Sequence, residues 1–417
     1  MEPGPRISGT GHYPTHDDID EDIEGESISD GFLCSHADFC GGCAFKGVSY
    51  EAAFRSKEKA FLDLLRAHKI EARQMDSMEM CPPAWRYRYR NKMEYTFGDL
   101  EKGGELTLGM HKRGCFMSVG TVEECLLVDH DFNALLRFTL QFCREKAYEK
   151  YNKKTHQGLL RNLLIRKGVR TRELLICLVT SSDGSFDDQA WQKGLLSLPL
   201  RNTIVGILHA YNDTKADAVK PESVELLYGR NYYWEEIGGL SFAVDLFSFF
   251  QTNVPMAEGM YSEALALLGE KKQRIFDLYC GTGTLTQLAA SKADEVIGVE
   301  WVDASAQAAR ANARKNGIKN VRFICGDVYE VLHSIEEKPD CIIVDPPRIG
   351  LGPKAAETIL AYGVETILYI SCNPKSLVSD LAIFHRGAYE IRYIKPFDNF
   401  PWTRHVECIA LIQRVKS

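Results

Sequence analysis

The sequence predicts an α/β fold whose C-terminal part is an open, mostly parallel sheet. Three observations point to it. From about residue 255, apolar strand-like runs alternate with helical segments, the pattern of right-handed crossovers between parallel strands. One such run ends in a glycine turn, Asp277-Leu278-Tyr279-Cys280-Gly281-Thr282-Gly283-Thr284. Two later runs end in polar loops, Asp345-Pro346-Pro347-Arg348 and Ser371-Cys372-Asn373-Pro374. In such a sheet the ligand site is expected at the carboxyl ends of the strands, where these three loops fall.

The elements follow in chain order. Residues 1–33 carry nine acidic groups against Arg6 alone and few large apolar side chains, so a disordered acidic tail is expected there. This tail accounts for the net charge of −7 and leaves the rest of the chain near neutral. Residues 49–68 read as an amphipathic helix (Ala53, Phe54, Ala60, Phe61, Leu64, Leu65). Residues 86–128 alternate and turn on glycines, which suggests antiparallel strands, and a helix is expected over 129–150. Strand-like runs follow at Leu174–Thr180, Thr203–His209 and Glu225–Tyr228. The C-terminal strands are expected at Arg274–Leu278, Glu295–Glu300, Val321–Cys325, Cys341–Asp345, Thr366–Ser371 and Ile409–Ile412, with helices at Ala304–Asn316 and 374–386. The domain organisation expected is thus 1–33 tail, 34–250 an α+β region with a cysteine cluster, and 251–417 a cofactor-binding sheet domain.

With 45% hydrophobic and 26% charged residues, the composition is that of a soluble globular chain. No apolar run approaches a membrane span and the acidic N-terminus is unlike a signal peptide. Thirteen scattered cysteines suit a reducing, cytoplasmic setting with some thiols ligating metal.

Glycines in the 277–284 loop let the backbone turn tightly and approach a ligand. Alone, G-x-G is only a turn. Glu300, at the end of the next strand, can accept from both hydroxyls of a ribose, and Asp327 ends the third strand. Thr286 stands where a dinucleotide fingerprint wants its third glycine, which favours S-adenosylmethionine (SAM) over NAD because no pyrophosphate need be cradled. In the D-P-P-R run, paired prolines stiffen the loop, and Arg348 stands where amino-group methyltransferases place an aromatic residue. Cys372 follows one strand and precedes a helix opened by Asn-Pro. A thiol at a helix N-terminus is expected to be accessible and of lowered pKa, which suits a nucleophile. Thr403-Arg404-His405-Val406-Glu407 heads the last strand. Its His-x-Glu also admits a metal reading, although no further ligands stand at zinc spacing.

Cys34-x5-Cys40-x2-Cys43, with Gly41-Gly42 for a tight turn, is a metal signal that fits a [4Fe–4S] cluster or zinc. A fourth thiolate must come from elsewhere: Cys81, Cys115, Cys125 and Cys143 are the candidates. Arg86-Tyr87-Arg88-Tyr89-Arg90-Asn91-Lys92 interleaves cations and aromatics. On a strand this would put arginines on one face and tyrosines on the other, a pattern for RNA. Arg161, Arg166, Lys167, Arg170 and Arg172 form a second basic group.

These motifs resemble the RNA 5-methyluridine (uracil-C5) methyltransferase family of 23S rRNA and tRNA, over about residues 34–417. The family's D-x-F/Y-C-G-x-G, D-P-P/A-R, S-C-N-P and H-V-E runs occur here in that order. Phe250-Gln251-Thr252-Asn253 resembles the family segment whose glutamine contacts SAM. The resemblance implies a class I SAM-methyltransferase domain at the C-terminus, with Gln251, Tyr279, Glu300 and Asp345 as cofactor contacts; Asp327 joins them by its strand-end position. It implies Cys372 as nucleophile and Glu407 as base. It also favours iron–sulfur over zinc, with Cys125 as the fourth ligand beside Cys34, Cys40 and Cys43. Thr284 replaces an asparagine of some members, which puts that contact in doubt. Relatives carry an OB-like domain before the cluster where this chain has its acidic tail, and that difference, with the cluster, tilts the expected substrate to 23S rRNA. The chain is expected to act as a monomer on structured RNA, away from membranes. Two other readings stay open: a tRNA uracil-C5 methyltransferase, and an iron–sulfur oxidoreductase with a Rossmann-type domain, which SAM dependence without NAD dependence would exclude.

Overall fold

The computed structural model describes residues 34–215 and 221–415; the expected acidic tail lies outside them. The elements are α1 (Tyr50–Ala67), β1 (Gln74–Met75), β2 (Lys92–Gly98), β3 (Thr107–Lys112), β4 (Cys115–Thr121), α2 (His130–Glu145), β5 (Leu160–Lys167), β6 (Glu173–Thr180), α3 (Asp188–Leu196), β7 (Thr203–Tyr211), β8 (Ser223–Gly229), β9 (Tyr232–Ile237) and β10 (Leu240–Asp245). The C-terminal series is α4 (Val254–Ala266), β11 (Lys272–Leu278), α5 (Thr284–Leu288), β12 (Ala293–Glu300), α6 (Asp303–Lys315), β13 (Val321–Cys325), α7 (Val328–Ser334), β14 (Cys341–Val344), α8 (Gly352–Tyr362), β15 (Thr366–Ser371), α9 (Pro374–Arg386), β16 (Tyr389–Phe397) and β17 (Glu407–Arg414).

An eight-stranded sheet runs in the order β1-β16-β17-β15-β14-β11-β12-β13. Strands β11 to β15 are mutually parallel, and β14 and β15 are buried along their whole length, as expected of strands covered on both faces. The strand order reverses between β11 and β14, so the crevice lies at their carboxyl ends. Strand β17 runs antiparallel between β15 and β16.

A seven-stranded sheet, β4-β3-β2-β5-β6-β7-β8, carries the earlier part of the chain. Its only parallel pair is β6 with β7, bridged by α3. The hairpin β9–β10 stands apart as a two-stranded sheet.

Two expectations are corrected here. The Arg86–Arg90 run is not a strand: a short 3-10 turn at Pro83–Trp85 precedes it, Arg88 takes φ +53°, and β2 starts only at Lys92. Its aromatics pack inward rather than present a stacking face. Tyr89 is buried and donates to the Pro401 carbonyl, Tyr87 packs on Trp402, and Arg86 lies over Tyr50. In the second basic group Arg161, Arg166 and Lys167 are buried, while Arg170 and Arg172 are exposed. Arg166 is fully buried in β5 and donates to the carbonyls of Asp245, Leu246 and Ser248. Arg161 donates to the Asn212 carbonyl, Lys167 pairs with Asp129 and Arg170 with Glu258. These cations satisfy buried carbonyls and carboxylates that would otherwise be orphaned.

The packing also crosses the expected 34–250 region. Helix α1 buries Tyr50, Ala53, Phe54, Lys57, Phe61 and Leu65 on one face and meets α9. Strand β1 pairs in parallel with β16 at the edge of the eight-stranded sheet. A lysine at the centre of an apolar helix face needs a partner. Lys57 Nζ lies 2.5 Å from Asp398 Oδ1 and donates to the Phe400 carbonyl at 2.8 Å, while Tyr50 donates to Asp398 Oδ2 at 2.8 Å. Replacing Lys57 with Met leaves that carboxylate buried with one donor fewer. The variant is expected to lose about 3 kcal/mol of stability, read by urea denaturation; a loss under about 1 kcal/mol would show that Tyr50 alone satisfies Asp398.

Candidate active site

The loops at the carboxyl ends of β11, β12, β14 and β15 converge through strand register. Leu278 pairs with Val299 on one side and Val344 on the other, and Val344 pairs with Tyr369. The residues that follow, Tyr279, Glu300, Asp345 and Ile370–Cys372, therefore emerge at one edge of the sheet. Across β15 and β17, Ser371 pairs with Cys408. One step outward, Cys372 stands against Glu407, and the two groups feel each other electrostatically.

The glycine loop is built for a ligand on one side and for packing on the other. Tyr279 takes φ +66°, a strained conformation for a side-chain-bearing residue. Gly281 has φ +55° with nothing within 4 Å of where a Cβ would stand, whereas a Cβ on Gly283 (φ +77°) would meet the Phe323 ring at 2.7 Å and Ala309 at 2.9 Å. Gly283 is thus glycine so that the turn can press on β13 and α6, and the space over Gly281 is open. Glu300 accepts from the Gly281 amide at 2.9 Å and the Val302 amide at 2.8 Å. Asp327 caps α7, accepting from the amides of Tyr329 and Glu330.

Three carboxyl groups meet here in a poorly solvated setting. Burial raises Asp345 to about 7, against a hydrogen bond from Tyr261. Burial, Asp345 and Glu300 raise Asp277 to about 7, while Thr286 Oγ1 donates to it at 2.5 Å. Burial and then Asp345 raise Glu407 to about 8, against the pull of Arg348. The expected lowering of the Cys372 pKa is corrected. Burial, followed by Glu407 and Asp345, outweighs the Arg348 guanidinium and pushes the thiol up to about 11. Nearby carboxylates and desolvation win over one helix terminus. A site of this charge repels a pyrophosphate and favours a cation, which would draw these pKa values down.

Arg348 Nη2 lies 3.0 Å from the His405 ring nitrogens. Burial, Arg348, Arg90 and Lys57 lower His405 to about 4, so the imidazole is neutral and can accept from the guanidinium. Asn373 Nδ2 donates to the Arg348 carbonyl at 2.8 Å. Asp380 of α9 accepts from the Leu351 amide at 2.8 Å and from Tyr369 at 2.7 Å. The loop after β14 is thereby tied at both ends to the segment that carries Cys372.

Gln251 is buried and donates to the Tyr261 hydroxyl at 2.8 Å, so α4 links Gln251 to Asp345 through Tyr261. The sequence reading missed Tyr261 and Asp380. Tyr261 sits in an apolar helix with no distinguishing pattern. Asp380 did leave a signal, an acid within the buried Leu377, Val378, Leu381 and Phe384 face of α9.

Away from this crevice, four cysteines interact electrostatically. Burial, then Cys125, Cys40 and Cys34, push Cys43 up to about 12, and Cys125 feels Cys40 and Cys34. Of the other thiols considered, Cys81 faces Asp398, Cys143 is raised by burial alone, and Cys115 is exposed beside Ser118. Among the described residues no three such side chains already stand in the arrangement a metal ion requires. No disulfide forms among them either.

Residues 240–415 match the family model described as tRNA (Uracil-5-)-methyltransferase. An RNA methyltransferase of Clostridium acetobutylicum is 44% identical over 382 residues, covering 91% of this chain and 83% of the relative. Another, of Clostridium tetani, is 42% identical over 376 residues, covering 90% and 82%. Both carry the name uncharacterized RNA methyltransferase. The Pyrococcus abyssi tRNA (uracil-54, C5)-methyltransferase, solved with S-adenosyl-L-homocysteine, shares the fold with a TM-score of 0.70 at 23% identity, covering 88% of this chain and 84% of that one. The match to the family model and the extent of these likenesses place the chain in the RNA uracil-5 methyltransferase family.

Proposed function

We propose that the protein makes 5-methyluridine in RNA by thiolate addition to uracil, with Cys372 as nucleophile and Glu407 as base. The single observation that carries this reading is the register of β15 against β17, which sets a thiol and a buried carboxyl group side by side at the edge of the crevice. SAM supplies the methyl group when bound; Gln251, Tyr279, Glu300, Asp327 and Asp345 line the place where it would sit.

Uracil C5 is a weak nucleophile. Cys372 loses its proton to solvent and its Sγ bonds to C6, and the C5=C6 electron pair moves onto C5, making it an enolate carbon that can take the methyl group. Glu407 then removes the C5 proton. The C5–H electron pair re-forms the double bond, and the C6–S bond breaks to return the thiolate. A carboxyl raised to about 8 is a stronger base than a solvated one. Arg348 is placed to favour the anionic forms of both Cys372 and Glu407.

The convergence of Cys34, Cys40, Cys43 and Cys125 supports a [4Fe–4S] cluster as part of the same reading. A bound metal would replace the mutual repulsion of four thiolates by attraction. Such a cluster would close the long loop between residues 43 and 125 and so support the fold. The substrate in this reading is 23S rRNA, with tRNA uridine as the alternative. No helix among the described residues is long and apolar enough to cross a membrane.

Cys372→Ala is expected to abolish methylation and the covalent adduct with 5-fluorouridine RNA while SAM binding persists; full activity would remove the thiolate step. Glu407→Gln should still form the adduct but release it slowly, so that protein–RNA conjugate accumulates on denaturing gels. The base form of Glu407 is populated only above about 8 and the thiolate of Cys372 only above about 11, so kcat/KM should climb steeply with pH from about 6 and keep rising, with a shallower slope, above about 8; a flat profile would contradict the assignment. Mass mapping of 5-methyluridine with and without the gene should show the loss in 23S rRNA; loss confined to tRNA would move the substrate there. Anaerobically purified protein should hold about four iron atoms per chain, and Cys125→Ser should lose them; zinc in their place would overturn the cluster.

A further inference from the structure

With Arg86–Arg90 outside any strand and Arg161, Arg166 and Lys167 buried, RNA outside the crevice must be held by another surface. The structure assigns that contact to a different surface, the tip of the β3–β4 hairpin together with the turn at residues 152–157. We propose that this patch binds single-stranded or loop nucleotides flanking the target, an inference that rests on the RNA reading above.

The hairpin tip is unusual for an edge strand. Residues 112–117 are all exposed, among them Lys112, Arg113, Phe116 and Met117. Phe116 and Met117 are 54% and 51% exposed, next to one another on a strand that borders the sheet. The plain reading of charge at a sheet edge is protection from edge-to-edge pairing. That reading does not explain why two large apolar side chains are left in the open beside the charges. The Phe116 ring stacks on His111, with centroids 4.6 Å apart and planes at 17°, so the aromatic is held rigid. Lys153 reaches across from the neighbouring turn, its ammonium 4.1 Å from the ring centroid, and Lys154 is exposed beside it. Lys112, Arg113, Lys153 and Lys154 give the patch an excess of cations, with exposed Asp38 at its margin beside Phe39, whose carbonyl accepts from the Arg113 amide. Of the nearby acids, Asp99 is taken by Lys150 and Glu105 by Arg144.

A braced aromatic with lysines around it suits one polyanion best. Phosphates pair with the ammonium groups, and a base can stack on the ring in place of Lys153, releasing that lysine to the backbone. The patch is also joined to the crevice. Arg113 donates to the Cys43 carbonyl, and the next amides, Ala44 and Phe45, donate to the Trp402 carbonyl. Trp402 lies three residues before His405, so the hairpin and the catalytic loop share one continuous scaffold.

The test is a charge reversal, Lys112→Glu/Lys153→Glu/Lys154→Glu, in the full chain, with Phe116→Ala made separately. The probe is a fluorescently labelled stem–loop RNA with uridines in its loop. The triple variant should weaken RNA binding at least tenfold and reduce the slope of log affinity against log salt by about 2. Phe116→Ala should weaken binding about tenfold with little change in that slope. SAM affinity should be unchanged in both, which guards against a folding defect, and neutral Lys→Gln replacements should give an intermediate loss. Wild-type RNA affinity retained by the triple variant, with SAM binding intact, would overturn the patch and leave the hairpin for a protein partner. If wild-type protein bound no RNA, the RNA reading itself would fail.

Discussion

The structure depends most on the pairing of β17 between β15 and β16. Every other strand of the crevice comes from the parallel series and delivers its functional side chain at a carboxyl end. Strand β17 runs the other way, so it delivers its first residue, Glu407, at the same edge where β15 delivers Cys372. An antiparallel insertion is the only arrangement in which the start of one strand and the end of its neighbour meet. A slip of one residue would also turn Glu407 to the opposite face. The all-buried pattern of β15 and the buried Glu407–Ile412 stretch hold that register against water on both sides.

The same geometry sets the electrostatics. Asp277, Asp345 and Glu407 are forced together in a setting that disfavours ionisation, and all three are raised. Such clustering destabilises a fold unless something compensates, and functional sites are where it persists. The compensation visible here is partial. Arg348 faces Glu407 and Cys372, Thr286 and Tyr261 donate to Asp277 and Asp345, and Asp277 Oδ1 has no partner. A cationic methyl donor would complete the balance, which fits the family to which the chain belongs.

Much of this was legible from local pattern. Strands β11 to β15 and helix α9 fall where apolar runs and the Asn-Pro start placed them, because parallel buried strands and capped helices carry their signal within the segment. The loops that line the crevice were legible as motifs at strand ends. What could not be read is what depends on partners distant in sequence. Strand β1 exists only because β16 pairs with it. Arginines on β5 read as surface charge, yet Arg166 is swallowed by carbonyls of residues 245–248. The Arg-Tyr alternation at 86–90 mimics a strand, but its tyrosines are claimed by Trp402 and Pro401. The Cys372 thiol was expected to be acidified by its helix; burial first, and then the carboxylates across the sheet, both invisible to local reasoning, reverse the sign.

The N-terminal region is not an appendage that merely presents RNA. Helix α1 sends Lys57 and Tyr50 into the buried carboxylate of Asp398, and the Cys81 amide donates to the same tyrosine hydroxyl at 2.8 Å. Asp398 opens the loop that runs through Trp402 and His405 to Glu407, and the amides of Ala44 and Phe45 hold the Trp402 carbonyl of that loop. A loop gripped from both sides by residues 44–81 cannot relax on its own, so Glu407 is positioned by the part of the chain that also carries the cysteines and the β3–β4 hairpin. The β3–β4 hairpin and the placement of Glu407 thus share one set of hydrogen bonds, and a shift in either has a short path to the other.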